Sequence, residues 1–162
     1  MILARLEETG LSIWLRESSW GFFLVLIIHS LAMGMVVGIN FALGLRLLGI
    51  APKVPVSLML RFFPFLWAGL VAIVFSGLML LLAYPAKALT NWVFYFKLLC
   101  IGGGLYLTRY FALRLRDWNN DSRLPRQLRL LAVLSIVLWA GSITAGRFLA
   151  YTHTVLLASR FY

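Results

Sequence analysis

The sequence predicts an all-α integral membrane protein, a bundle of four transmembrane helices preceded by a short interfacial N-terminal helix. Of its 162 residues, 62% are hydrophobic and 12% are charged, whereas soluble domains have about 45–50% apolar and about 25% charged residues. A soluble domain of this length could not bury so much apolar surface, because its surface-to-volume ratio is too high. The composition therefore excludes a soluble or disordered chain and favours a single membrane domain over residues 1–162.

Four apolar stretches are each long enough to cross a bilayer, which takes about 20 mostly apolar residues. The first two contain no Asp, Glu, Lys or Arg. The third is interrupted by Lys97 and the fourth by Arg147. We place the spans at about residues 20–45, 62–84, 92–113 and 129–151.

The segment before the first span has a mixed character. Residues 11–20 combine aromatic, apolar and charged side chains, which is typical of a helix lying in the membrane interface. A simple N-terminal extension of the first span is the alternative interpretation.

Helix breakers define the connections between the spans. Residues 49–55 contain two prolines, and Pro85 follows the second apolar stretch. Proline removes a backbone hydrogen bond from a helix interior and so ends helices at such positions. Thr90 or Asn91 can cap the third helix, and residues 117–125 form the one clearly polar connection.

The distribution of Lys and Arg predicts the orientation. The first and third loops hold nine of the 15 basic residues, while the second loop holds Lys87 alone. The nine are Arg46, Lys53, Arg61, Arg109, Arg114, Arg116, Arg123, Arg126 and Arg129. Since cytoplasmic loops are rich in Lys and Arg, both termini are expected on the outer side. The same explanation accounts for the net charge of +10, so we do not expect nucleic acid as a partner.

The acidic residues and the cysteine restrict the chemistry. All five acids lie outside the apolar stretches: Glu7, Glu8, Glu17, Asp117 and Asp121. Without a carboxylate at membrane depth, paired-carboxylate catalysis and magnesium-dependent phosphoryl transfer are not expected. Cys100 is the only cysteine, which excludes an internal disulfide and a CxxC redox pair. We assign no catalytic residue.

Three cationic or imidazole side chains are predicted at membrane depth in the same outer half of the bilayer. Counted from the aromatic residue that ends each helix, His29 is about 13 Å deep, Lys97 about 7–8 Å and Arg147 about 6 Å. The two long side chains could reach the head groups, and the imidazole could hydrogen-bond between helices. The alternative is a site for an anionic, mostly apolar ligand.

Haem b fits that ligand description, because it combines an apolar macrocycle with two carboxylates and an iron that takes axial imidazole. His29 would bind the iron, and Lys97 and Arg147 would meet the propionates. Met79 could be a second axial ligand, or the haem could be five-coordinate. A quinone head group is a weaker variant.

Small residues recur every four positions in three of the spans, which allows helix backbones to approach closely in lipid. They are Ser30, Gly34 and Gly38; Ala68, Ala72 and Ser76; and Cys100, Gly104 and Thr108. The pattern predicts either a compact bundle or a surface for partner helices.

Five short strings, taken in their order and spacing, resemble an uncharacterised family of small bacterial four-span membrane proteins. They are Ile28-His-Ser-Leu-Ala-Met-Gly34, Leu45-Arg-Leu-Leu-Gly49, Ala68-Gly69, Phe96-Lys-Leu-Leu99 and Ala145-Gly-Arg147. The architecture is also similar to the four-span domain of copper-resistance D-type proteins and to the four-span bacterial protoporphyrinogen oxidase, a haem protein with important histidine and lysine residues. These resemblances imply a bacterial inner-membrane location and comparable roles for His29 and Lys97.

Two functions follow as hypotheses. The first is a haem-b-binding or redox-associated membrane protein with an outer-leaflet site. The second is a non-catalytic accessory subunit that packs against other membrane subunits or against itself. A small transporter is a third possibility, which would need oligomerisation to enclose a pathway.

Overall fold

The structure, a computed structural model, describes residues 9–50, 52–116 and 125–158, without the side chains of residues 11, 19, 86, 87, 150 and 152–158. Nearly all of the polar connection predicted at 117–125 lies outside the described residues. The described residues form helices and no strand. In chain order the helices are α1 (Gly10–Glu17), α2 (Ser19–Leu47), α3 (Val56–Leu60), α4 (Phe63–Ala83), α5 (Pro85–Leu89), α6 (Trp92–Leu115) and α7 (Arg126–Ala158).

Three helical segments are long and apolar enough to cross a membrane: Trp20–Leu47, Val56–Ala83 and Arg126–Leu149. The all-α class and a membrane-capable chain are thus confirmed. Helix α6 is not among the three, because Lys97, Arg109 and several glycines and tyrosines lower its mean hydropathy. The fourth span therefore stays a prediction.

Large apolar side chains cover the outside of the bundle. Leu31, Val71 and Leu99, on three different helices, are each 70% exposed. Contiguous apolar surface on this scale marks contact with an apolar partner rather than with water. The helices therefore present a surface suited to the lipid bilayer.

The long helices pack in the order α4, α2, α7, α6. Helix α2 packs along α4 and α7, and α7 packs along α6. Helices α4 and α6 share no extended seam among the described residues, so the bundle has one open edge.

The two ends of the bundle differ in their side chains. Helices α2 and α6 finish, and α4 and α7 begin, at what we call the basic end, where nine buried apolar residues form one core cluster. They are Leu43, Leu47, Val56, Phe63, Leu107, Phe111, Leu115, Leu128 and Ala132. The opposite, aromatic end carries the exposed rings of Trp20, Trp92 and Tyr151.

Helix α1 is a separate element and not an extension of α2. Ser18 has extended backbone (φ −77°, ψ 101°) and caps α2 by accepting a 3.0 Å hydrogen bond from the Gly21 N–H. Ser12 and Leu15 are buried where α1 packs against α2 and α4. Helix α1 therefore covers the aromatic end of this helix pair.

Arg46 and Gly49 fix the first loop. Gly49 has φ +95°, and the N–H groups of Gly49 and Ile50 donate to the carbonyls of Arg46 and Leu45 at 3.1 and 3.0 Å, which is a Schellman ending of α2. The buried Arg46 guanidinium donates to the carbonyls of Val54 and of Pro52. The same side chain thus holds the loop that returns the chain into α3.

The small residues divide into inward and outward sets. A Cβ added at Gly69 would lie 2.6 Å from Met35 Cε, and one at Gly104 would lie 2.9 Å from the Trp139 ring. These two glycines therefore permit close packing within the chain. Gly34 and Gly38 are exposed, and an added Cβ would have no neighbour within 4 Å. Gly34 and Gly38 therefore do not mediate close helix packing within the described part of the chain.

Candidate functional site

His29 lies on the face of α2 that turns into the bundle. Its ring is half-buried, and its Nδ1 is 2.9 Å from Ser76 Oγ on α4. The imidazole therefore bridges two helices.

Ser76 contacts both His29 and the backbone of its own helix. Ser76 Oγ lies 2.5 Å from the Ala72 carbonyl and 3.3 Å from the Ile73 carbonyl. A hydroxyl has a single proton, so a Ser76 that donates to a carbonyl accepts from the Nδ1–H of His29, whereas a Ser76 that donates to Nδ1 leaves the imidazole proton on Nε2. In the first of these two tautomers, Nε2 keeps its lone pair and can bind a ligand.

Lys97 on α6 lies at the same depth as His29. The Thr108 hydroxyl donates to Asn40 Oδ1 at 2.6 Å, which aligns α6 with α2. His29 precedes Asn40 by eleven residues, and Lys97 precedes Thr108 by eleven residues. Because the two helices run in the same direction, both side chains lie about 16 Å from the Asn40–Thr108 bond, at 1.5 Å per residue.

The Lys97 ammonium lies against α7. A Cβ added at Gly146 would lie 3.6 Å from Lys97 Nζ. The structure thus places the two sequence-predicted residues at a similar depth, with Lys97 against α7 and His29 against α4. We call the set His29, Ser76, Lys97 and Gly146 the His29 layer.

Glycines provide space beside both polar side chains of the His29 layer. A Cβ at Gly77 would lie 3.4 Å from His29 Cε1, just as one at Gly146 would contact Lys97. Larger residues at these positions would occupy the space next to the imidazole and the ammonium.

The other two sequence-predicted residues lie on α4 and α7. Met79 is half-buried on α4, one turn closer to the aromatic end than Ser76. Arg147 is exposed on α7. No hydrogen bond or ion pair among the described side chains links either residue to His29 or Lys97.

The sequence places Asn40 on the same inward helical face as His29, but it does not identify the hydrogen-bond partner of either side chain. Asn40 and Thr108 are both buried, and the Asn40 amide also donates to the Val36 carbonyl at 2.8 Å. Thr108 and Ser76 had been interpreted only as small packing residues. Their polarity could have identified them, since each of these side chains places a hydrogen-bonding group inside an apolar helix.

A further cavity lies between α6 and α7, on the outer surface of the bundle. This groove has a volume of about 430 Å³ and is lined by Val93 and Phe96 on α6 and by residues between Val137 and Phe148 on α7. His29 and Lys97 do not line it.

Within the part of the chain that the structure describes, no three His, Cys, Asp or Glu side chains lie together as a metal site would require. Cys100 is a buried free thiol. Comparison with family models, curated proteins and solved structures finds no match to this chain.

Proposed function

We propose that this chain is a four-span protein of a bacterial inner membrane that binds haem b, or a similarly apolar and anionic redox ligand, at the His29 layer. The observation that carries the proposal is the hydrogen bond between His29 Nδ1 and Ser76. In the tautomer that carries its proton on Nδ1, this bond orients the imidazole and leaves Nε2 free to bind the haem iron, as hydrogen bonds to the other ring nitrogen do in metal-binding histidines.

The residues of the layer suit the two ends of such a ligand. His29 would bind the haem iron, and Lys97 would pair with a propionate. When bound, haem supplies one-electron transfer. Gly77 and Gly146 leave space beside the two side chains.

The membrane arrangement extends this proposal. Helix α6 would be the fourth span, since its 24 residues give a length of about 36 Å, enough to cross a hydrocarbon core of about 30 Å. The basic end would face the cytoplasm, because Lys and Arg concentrate there. The His29 layer would then lie in the outer half of the bilayer.

The absorption spectrum of the purified protein tests the proposal. The chain would be expressed with a haem supply, extracted in mild detergent and, if needed, incubated with haemin. We expect a Soret band with the wild type, loss of that band with His29→Ala, and weaker binding and a shifted reduction potential with Lys97→Gln.

Ser30→Ala is the matched control, because Ser30 is adjacent in sequence but exposed on α2. It should retain the Soret band. Thermal unfolding would establish that His29→Ala is folded. A wild type that takes up no haem, or a folded His29→Ala variant with an unchanged spectrum, would refute the proposal.

A second candidate function is that of an accessory subunit. The observation in its favour is the exposed pair Gly34 and Gly38, which no part of the chain covers among the described residues. Gly34→Leu should disrupt co-purification with partner subunits, or self-association, while leaving the stability of the isolated chain unchanged. An unchanged set of partners would count against this role.

A further inference from the structure

We propose that the groove between α6 and α7 holds one acyl chain of an anionic phospholipid, whose phosphate is bound by Arg147. This inference does not depend on haem binding, because the groove and the His29 layer share no lining residue. It depends only on the apolar helices being in contact with lipid.

The length of the groove matches one leaflet of a bilayer. Its lining on α7 extends from Val137 to Phe148, which is eleven residues or about 16 Å at 1.5 Å per residue. Half of the hydrocarbon core is about 15 Å thick. An acyl chain lying in the groove would therefore run from the head-group region to about the middle of the bilayer.

The groove surface is suited to a hydrocarbon chain. Ala140, Gly141, Phe96 and Phe148 are among its lining residues. Thr144 is its one hydroxyl-bearing lining residue, and that hydroxyl donates to the Ala140 carbonyl of its own helix at 2.9 Å. No polar group of the lining therefore requires a polar occupant.

A positive charge lies at the outer end of the groove. Arg147 is exposed, adjacent in sequence to Phe148 and one helical turn from Thr144, so it shares a surface with residues that line the groove. None of the described acidic side chains pairs with it. The exposed rings of Trp92 and Tyr151 lie at the same end, as is typical of the head-group level. An anion at this level, attached to an apolar chain, complements the groove.

The size of the groove argues against a helix as its occupant. An α-helix is about 10–12 Å across, so a 16 Å length fills about 1,300 Å³ or more. The groove holds about 430 Å³. A partner helix could rest on its rim but could not enter it.

Native mass spectrometry of the delipidated, detergent-solubilised protein tests the assignment. The protein would be titrated with dioleoyl phosphatidylglycerol and, separately, with dioleoyl phosphatidylcholine. We expect preferential binding of the anionic lipid. Arg147→Gln should weaken phosphatidylglycerol binding about fivefold, as expected for one partly exposed charge-assisted contact, while leaving phosphatidylcholine unchanged. Thr144→Phe should fill the groove and weaken the binding of both lipids.

Two matched variants control for charge and for bulk. Arg129→Gln removes an exposed cation near the other end of α7, and Val133→Phe adds a ring to an exposed position below the groove. Both should bind lipid as the wild type does, and thermal unfolding should establish that every variant is folded. Equal binding of the two lipids by the wild type, or unchanged binding by Arg147→Gln or Thr144→Phe, would overturn the assignment. A change of oligomeric mass with Thr144→Phe, without a change in lipid retention, would assign the groove to a second copy of the chain instead.

Discussion

Replacing Thr108 by valine should destabilise the bundle by about 1.5–3 kcal/mol. The substitution keeps the shape of the side chain but removes the hydroxyl that donates to Asn40 Oδ1 at 2.6 Å. Hydrogen bonds between membrane helices contribute on average about 0.6 kcal/mol and at most about 1.7 kcal/mol. The Asn40 carbonyl, which is buried, would also lose its partner, at a cost of about 1–3 kcal/mol.

A double-mutant cycle separates the bond from the cost of the orphaned group. Asn40→Leu combined with Thr108→Val removes both polar partners. Replacement of both partners by apolar groups is much less costly than removal of one, so the double variant should be less destabilised than the sum of the two single variants.

The assay is equilibrium unfolding in mixed micelles, followed by tryptophan fluorescence. Thr144→Val is the matched control, because the Thr144 hydroxyl is exposed and bonds only to its own helix. If Thr108→Val unfolds at the same denaturant concentration as Thr144→Val, the Asn40–Thr108 bond does not stabilise the bundle.

Two further predictions concern a pair of neighbouring glycines and the topology. Gly104→Ala should destabilise the protein by about 1–3 kcal/mol, because the added Cβ would lie 2.9 Å from the Trp139 ring. Gly102→Ala should stabilise it by about 0.5–1 kcal/mol, because an added Cβ there has no neighbour within 4 Å. Thermal unfolding of both variants measures the difference. In a Cys100→Ser background, a membrane-impermeant thiol reagent should label Lys87→Cys and not Lys53→Cys in intact cells, and the reverse pattern would invert the orientation.

The positions of the long helices could be predicted from the sequence because charged residues and prolines separate the apolar stretches. Pro85 separates the helix ending at Ala83 from the short helix that follows. Asn91, one of the two residues predicted to cap α6, does so by accepting a 3.0 Å hydrogen bond from the Val93 N–H. The short helices α3 and α5 were not predicted, since each is only five residues long and has no periodic pattern to detect.

The facing of the helices could not be predicted, and the reason is physical. In water an apolar stripe identifies the buried face of a helix, but here both the core and the surroundings favour apolar side chains. Gly34 and Gly104 therefore look alike in the sequence, although one points outward and the other packs on Trp139. For the same reason, the sequence did not identify Ser76 as the partner of His29. It predicted the depth of Arg147 in the membrane but not the direction in which the side chain points.

The pairing of the long helices has a consequence for the order in which the chain can fold during synthesis. Helices α2 and α4 are neighbours in sequence and pack together, as do α6 and α7, so each pair forms a hairpin with mainly local contacts, which assemble early. The His29–Ser76 bond lies within the first hairpin, so the imidazole gains its partner before the second hairpin has been made. The Asn40 carbonyl gains its partner only when Thr108 arrives. The Asn40–Thr108 bond therefore forms only when the two hairpins pack together, whereas the His29–Ser76 bond forms when the first hairpin is complete.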